Sequence, residues 1–280
     1  MALTELIAAD GYKLGATLFR PGTANGRAVM IMAATGVPQE YYGKFAAFLA
    51  EHGFTVLTFD YRGVGRSLHG PLRSVKARMR DWALLDAAAA FHFLDENFSK
   101  DKLLAVGHSF GGQALGLLPR PERIAAALTV GSQSGYWKHW PPLGRAWMWP
   151  ATHIGMPIVP RLLGYFPGSR LGMGEDLPAG VMAEWASWCR HPRYLVGALG
   201  VEREYARFTA PIRLYAITDD RFAPPRAVEA LAVLYPSARS EVRKVKPEDV
   251  NAGHIGHFGF FRERFRDSLW REARDWLEAQ

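Results

Sequence analysis

Lys102-Leu103-Leu104-Ala105-Val106-Gly107-His108-Ser109-Phe110-Gly111-Gly112 decides the fold of this chain. Its first five residues form an apolar run that reads as a buried strand. Gln113-Ala114-Leu115-Gly116-Leu117-Leu118 follows as the start of a helix that ends near Pro119. Between them lies G-x-S-x-G, the pattern of a serine carried on a sharp strand-to-helix turn. Such a turn pushes the Ser109 hydroxyl out above the sheet, where a base can reach it. Its neighbours must be small because the following helix packs close behind, hence Gly107 and Gly111. The helix N-terminus adds a partial positive charge and free N–H groups beside the reacting oxygen. Ser109 is therefore the candidate nucleophile.

On both sides of this unit the chain alternates strands and helices. Thr4 to Phe19 reads as two strands around a turn at Asp10-Gly11. Strands are predicted at Arg27–Ala33, Phe54–Phe59, Ile124–Val130, Ile212–Ile217 and Glu241–Val245. Helices are predicted over Tyr41–His52, Asp81–Phe98, Ala227–Leu234 and Phe261–Ala279. Alternation of this kind implies a mostly parallel sheet with helices on both faces. It stops after Gly131 and resumes near Ile212. Six of the nine tryptophans lie in that interval (Trp137, Trp140, Trp147, Trp149, Trp185 and Trp188), with a dense set of prolines. Residues 132–208 are therefore expected to be an insertion in one α/β core made of residues 1–131 and 209–280.

Composition narrows the function. With 280 residues, 49% of them hydrophobic, the chain can bury a large core. No apolar stretch approaches the roughly 20 residues of a membrane span. Met1-Ala2-Leu3-Thr4-Glu5-Leu6 lacks the pattern of a signal peptide, and Cys189 is the only cysteine, so a cytoplasmic location is expected. Cys189 reads as a small buried residue. The net charge is +7, but the densest arginines, Arg262 to Arg274, are interleaved with Glu263, Asp267, Glu272 and Asp275. That is a solvated helix face and not a phosphate-binding stripe, so no nucleic-acid partner is expected. Neither a phosphate-cradling loop nor a dinucleotide fingerprint occurs, and no metal or cofactor is expected.

A serine hydroxyl needs a base, and the base needs a group to hold its tautomer and stabilise its charged form. In open α/β sheets such groups gather at the carboxyl ends of strands. Asp219 and Asp220 follow the Ile212–Ile217 strand, and His254 and His257 follow the last strand in a glycine-broken loop. The order Ser, Asp, His runs along the chain. Each pair leaves two candidates. An oxyanion hole needs two backbone N–H groups. Phe110, after the nucleophile, is expected to supply one. Ala34-Thr35-Gly36-Val37-Pro38 follows the Arg27–Ala33 strand, and because Pro38 has no N–H, Val37 is the expected second donor.

These residues resemble the α/β-hydrolase superfamily over most of the chain outside the insertion. Asp60-Tyr61-Arg62-Gly63-Val64-Gly65-Arg66-Ser67 looks like the D-x-R-G-x-G-x-S segment of that superfamily, and Gly107–Gly112 like its nucleophile turn. Asp220 stands four residues before Pro224, which by resemblance favours it over Asp219. His257-Phe258-Gly259-Phe260 resembles the H-x-G-F ending, which favours His257 over His254. Asp60 is then a structural residue that holds the Arg62–Gly65 loop. Thr35-Gly36 stands where many members carry His-Gly, a departure that leaves the subgroup open. Leu163–Pro167 and Gly174–Pro178 look like a bacterial group of predicted α/β-hydrolases with an aromatic-rich cap, the place the insertion would occupy. The resemblance implies a serine hydrolase that cleaves a small carboxylic ester, apolar or aromatic, through an acyl-Ser109 intermediate. Three rivals remain: acyl transfer to an acceptor other than water, amide or peptide cleavage, and a non-catalytic binding protein on the same fold. The oligomeric state is not legible.

Overall fold

Eight strands form one sheet in a computed structural model that describes all 280 residues. They are β1 (Ala2–Ile7), β2 (Lys13–Phe19), β3 (Arg27–Met32), β4 (Thr55–Phe59), β5 (Lys102–His108), β6 (Ile124–Val130), β9 (Ile212–Ile217) and β10 (Ser240–Val245). The two remaining strands, β7 (Tyr165–Phe166) and β8 (Leu177–Pro178), pair with each other in a separate ribbon. The sheet order is β1-β2-β4-β3-β5-β6-β9-β10. Within this sheet β1 and β2, and β2 and β4, pair antiparallel and every other pair is parallel; the β7–β8 ribbon is antiparallel. The central strands are apolar without alternation and buried along nearly their whole length, as helices on both faces require.

From β3 the chain moves one way to β4, then crosses back past β3 to β5. Right-handed crossovers in opposite directions put their helices on opposite faces. The helix Gly43–Glu51 therefore lies on one face, where Phe45 and Phe48 meet Trp270 near the C-terminus. The helical run from Met79 to Asn97 lies on the other. Reversal between β3 and β5 makes a switch point, the place where loops from adjacent strand ends splay apart and leave a crevice. Register fixes what meets there. Met32 pairs with Gly107, His108 with Val130, and Ile217 with Val245. The carboxyl ends of β3, β5, β6, β9 and β10 are thus level, and the loops after them share one rim.

Between β6 and β9 the chain leaves this rim and returns. A helical run passes through Pro142–Pro150, a π turn at Ala151–Gly155 and Met156–Leu163. The β7–β8 ribbon and the helices Ala179–Arg190, Tyr194–Leu199 and Glu202–Ala206 follow. Glu175 N–H donates to the Gly36 carbonyl at 2.7 Å, tying this segment to the loop after β3.

Candidate active site

Ser109 has φ 50° and ψ −112°, one of three non-glycine residues with positive φ. Such a conformation costs on the order of 1–3 kcal/mol and persists only where its surroundings impose it. Here they do. A Cβ on Gly107 would lie 2.3 Å from the Gly112 nitrogen, and one on Gly111 would lie 2.1 Å from the Met32 carbonyl oxygen. The helix Phe110–Gln113 can start directly behind the serine only because both are glycine. Its first N–H, on Phe110, has no intrahelical acceptor.

The two adjacent aspartates after β9 are used differently. Asp220 is buried; its Oδ2 accepts the His257 Nδ1–H at 2.7 Å, and its Oδ1 accepts the N–H groups of Phe222 and Ala223 at 2.8 and 2.9 Å. That fixes the carboxylate and engages His257 through Nδ1, leaving Nε2 outside the contact. Asp219 accepts the N–H groups of Ile255 and Gly256, both at 3.0 Å, and pairs with the exposed His254 at 2.6 Å. Burial would raise the Asp219 pKa, but the Gly256 and Ile255 N–H groups together with His254 outweigh it and hold it below the usual range. Asp219 thus anchors the histidine loop. Gly131, at the end of β6 with φ 56°, lets the pair cross over it: a Cβ there would lie 3.1 Å from both Asp220 Oδ2 and His257 Nδ1. Ser109 and His257 line one cavity of about 370 Å³ without a hydrogen bond between them. Catalytic hydrogen bonds are often long in free enzymes and tighten with substrate.

Val37 is placed differently from the sequence expectation. Its N–H donates to the Ala34 carbonyl at 3.1 Å, closing a turn through Gly36 (φ 71°), and Val37 does not line the cavity. Its donor is spent inside the chain. Thr35, two residues earlier, lines the cavity beside Ser109; its N–H makes no hydrogen bond within the chain, and its buried Oγ1 has no partner.

Sequence reasoning missed His108. Its Nε2–H donates to the His257 carbonyl at 3.0 Å, and its Nδ1 accepts from Tyr42 Oη at 2.8 Å. Tyr42 Oη in turn accepts the Ala34 N–H at 2.9 Å. One buried relay therefore joins the His257 loop, strand β5 and the loop bearing Thr35. Burial, with His257 alongside, holds the His108 pKa well below its ordinary value, so the ring stays neutral. Its place in the G-H-S-F-G run was the available signal.

Asp60 is fully buried and holds loops rather than substrate. It accepts from the Gln39 N–H (2.7 Å), Gln39 Nε2 (2.8 Å) and the Arg66 N–H (3.0 Å). Burial pushes its pKa up to about 6, against the pull of those donors. The cavity lining is mostly apolar and includes Trp140, Trp147, Trp185 and Cys189. Cys189 is buried and its thiol is pushed up by burial, leaving it a small apolar wall. Trp188 does not line the cavity; it packs edge-on against Tyr194.

The model of the alpha/beta hydrolase family matches residues 29–267. The polyketide transferase grgF of Penicillium sp is 31% identical over 129 residues, which span 45% of this chain and 43% of that protein. Its crystal structure superposes with a TM-score of 0.65 at 19% identity, covering 99% of this chain and 98% of that one. A soluble variant of monoglyceride lipase from Saccharomyces cerevisiae gives a TM-score of 0.70 at 16% identity, over 100% and 95% of the two chains. An esterase from Pyrococcus furiosus gives 0.63 at 16%, over 99% and 90%. At these identities the structural likeness is one of fold. With most of its length inside the family match and its strands in this order, the chain belongs to the alpha/beta hydrolase family.

Proposed function

We propose that the protein is a serine hydrolase that cleaves a small apolar carboxylic ester. The observation that carries this reading is the strained Ser109 opening into the cavity that His257, held by Asp220, also lines. In this mechanism Ser109 Oγ attacks the ester carbonyl carbon while His257 Nε2 takes its proton. Asp220 stabilises the imidazolium that forms. The Phe110 N–H and the Thr35 N–H face the developing oxyanion, Thr35 taking the place expected for Val37. The tetrahedral intermediate then collapses; the C–O bond to the alcohol breaks, and His257 protonates the leaving oxygen. Water, deprotonated by His257, attacks the acyl-serine, and collapse releases the acid and restores Ser109.

The segment of residues 132–208 acts as a cap in this reading. It contributes most of the cavity lining, with Trp140, Trp147, Phe166 and Trp185 among apolar residues such as Met148, Met156 and Val159, and it excludes water. A cavity of this size and lining suits an apolar acyl or aromatic group. A second reading, acyl transfer to an alcohol or amine, is favoured by the identity to a polyketide transferase. A burial-imposed strain at Ser109 and an oriented histidine are costs that a purely binding protein has no use for.

The test is turnover of p-nitrophenyl esters of increasing acyl length by wild type and Ser109→Ala, with and without added alcohol or amine. Hydrolysis that needs Ser109 and is unaffected by acceptors supports the first reading. Turnover only with an acceptor supports the second, and equal turnover by Ser109→Ala rejects both.

A further inference from the structure

We propose that the outer face of residues 142–171 docks on an anionic lipid surface, with the mouth of the cavity turned toward the lipid. Fourteen large apolar side chains are exposed on this chain, and eight of them fall between Leu143 and Leu171. Leu143, Trp147, Ile154, Ile158 and Leu162 recur at spacings of four and seven through the continuous helical run Pro142–Leu163. That spacing is the repeat of one helix face, so they form a stripe and not a scatter. Isolated exposed apolar residues are ordinary; a contiguous stripe marks a surface that something covers.

Charge says what covers it. No Asp or Glu occurs from Arg123 to Gly174, whereas Lys138, Arg145, Arg161 and Arg170 do. Arg73 joins them, its guanidinium 5.6 Å from the Tyr165 ring at the end of the run. The carboxylates that close the segment are engaged: Glu175 accepts the Gly65 N–H at 2.8 Å, and Asp176 accepts the Ser169 hydroxyl at 2.6 Å. A second copy docked symmetrically would set these cations against their own counterparts, with no carboxylate in the segment to answer them. An anionic lipid surface answers both features. Headgroups meet the arginines, and the acyl boundary takes the leucines, isoleucines and tryptophan.

The stripe and the cavity meet. Trp147 and Leu171 are 55% and 58% exposed, and both also line the cavity that holds Ser109. An apolar molecule dissolved in the lipid would pass between them without crossing water. Docking itself does not depend on the chemistry proposed for Ser109.

The test is cosedimentation of the full chain with vesicles of phosphatidylcholine alone, or with a quarter of the lipid replaced by phosphatidylglycerol. The expected result is binding to the anionic vesicles that weakens with salt. Leu143→Glu/Leu162→Glu, two residues outside the cavity lining, should lower partitioning by about tenfold or more at unchanged melting temperature. Arg161→Ser/Arg170→Ser keeps the apolar stripe and should lose the preference for phosphatidylglycerol. No binding by wild type, or wild-type binding by both double variants, overturns the proposal. So does a dimer in sedimentation velocity that the Glu variant dissolves while vesicles leave wild type in solution.

Discussion

Asp219 and Asp220 are neighbours in sequence; Asp219 anchors a loop, and in the proposed mechanism Asp220 orients the base. Asp220→Asn keeps the shape but offers His257 an amide that can favour the wrong tautomer, and is expected to lower turnover by about four orders of magnitude. Asp219→Asn loses an acceptor for Ile255 or Gly256 and should cost about 1–2 kcal/mol of stability while retaining far more activity. Steady-state rates and melting curves of the two variants separate these roles; the reverse ranking, with both folded, would refute them. His108 carries a pH signature. Its folded pKa lies well below its ordinary value because it is buried, whereas in the unfolded chain it titrates near about 6.5. As pH falls below that value the unfolded state takes up a proton that the folded state refuses, so stability contributed by His108 is lost toward acid. The stability gap between wild type and His108→Gln, measured by denaturant titration, is therefore expected to narrow from pH 7 to pH 5. A gap that stays constant or widens contradicts the neutral relay. The strand–turn–helix setting of Ser109 was legible because pattern and context coincide. The choice between Thr35 and Val37 was not, since it depends on which N–H a turn through Gly36 consumes.

At the scale of elements, the strand–turn–helix unit stands on close backbone approach. Gly111→Ala would drive a Cβ into the Met32 carbonyl oxygen, which is backbone and cannot swing aside. The expected cost is about 3 kcal/mol or more, read as a fall in melting temperature together with loss of any Ser109-dependent rate. A variant of wild-type stability would mean that β3 and the helix can separate. The eight strands of the main sheet were read to within about two residues, β3 to β6 because buried apolar runs next to glycine have few other uses, whereas the two-residue strands β7 and β8 were not read. The helices were read as smoother than they are. Asp81–Phe98 contains a π turn at Trp82–Ala87, which brings Trp82 Nε1 to the Arg62 carbonyl (3.0 Å) and Asp86 to the Arg62 guanidinium (2.7 Å). Phe261–Ala279 is broken into a 3₁₀ turn, a π turn and a final helix. Tertiary demand overrides periodicity at such places.

Across the whole molecule, the sheet order sets the switch point, and the switch point sets the site. The strand sequence implied a parallel sheet, but its order and level strand ends arise from long-range pairing that no local window contains. The segment between β6 and β9 was visible as a change in composition, while the roles of its tryptophans were not. Trp147 lines the cavity at its exposed edge and Trp188 is packed away from it. Trp147→Ala is expected to shift relative rates toward longer acyl chains in a p-nitrophenyl ester series. Trp188→Ala should leave the preference unchanged and cost about 3–5 kcal/mol of stability. Unchanged preference in Trp147→Ala would place the acyl group elsewhere in the cavity. In the proposed mechanism, sheet, turn and cavity converge to activate one serine, and covalent labelling reads that activation. A fluorophosphonate probe, followed by peptide mass spectrometry, is expected to modify Ser109 alone, with labelling abolished in Ser109→Ala and strongly slowed in His257→Ala. Modification of Ser67 or Ser132 in place of Ser109, or equal labelling of Ser109→Ala, would contradict it.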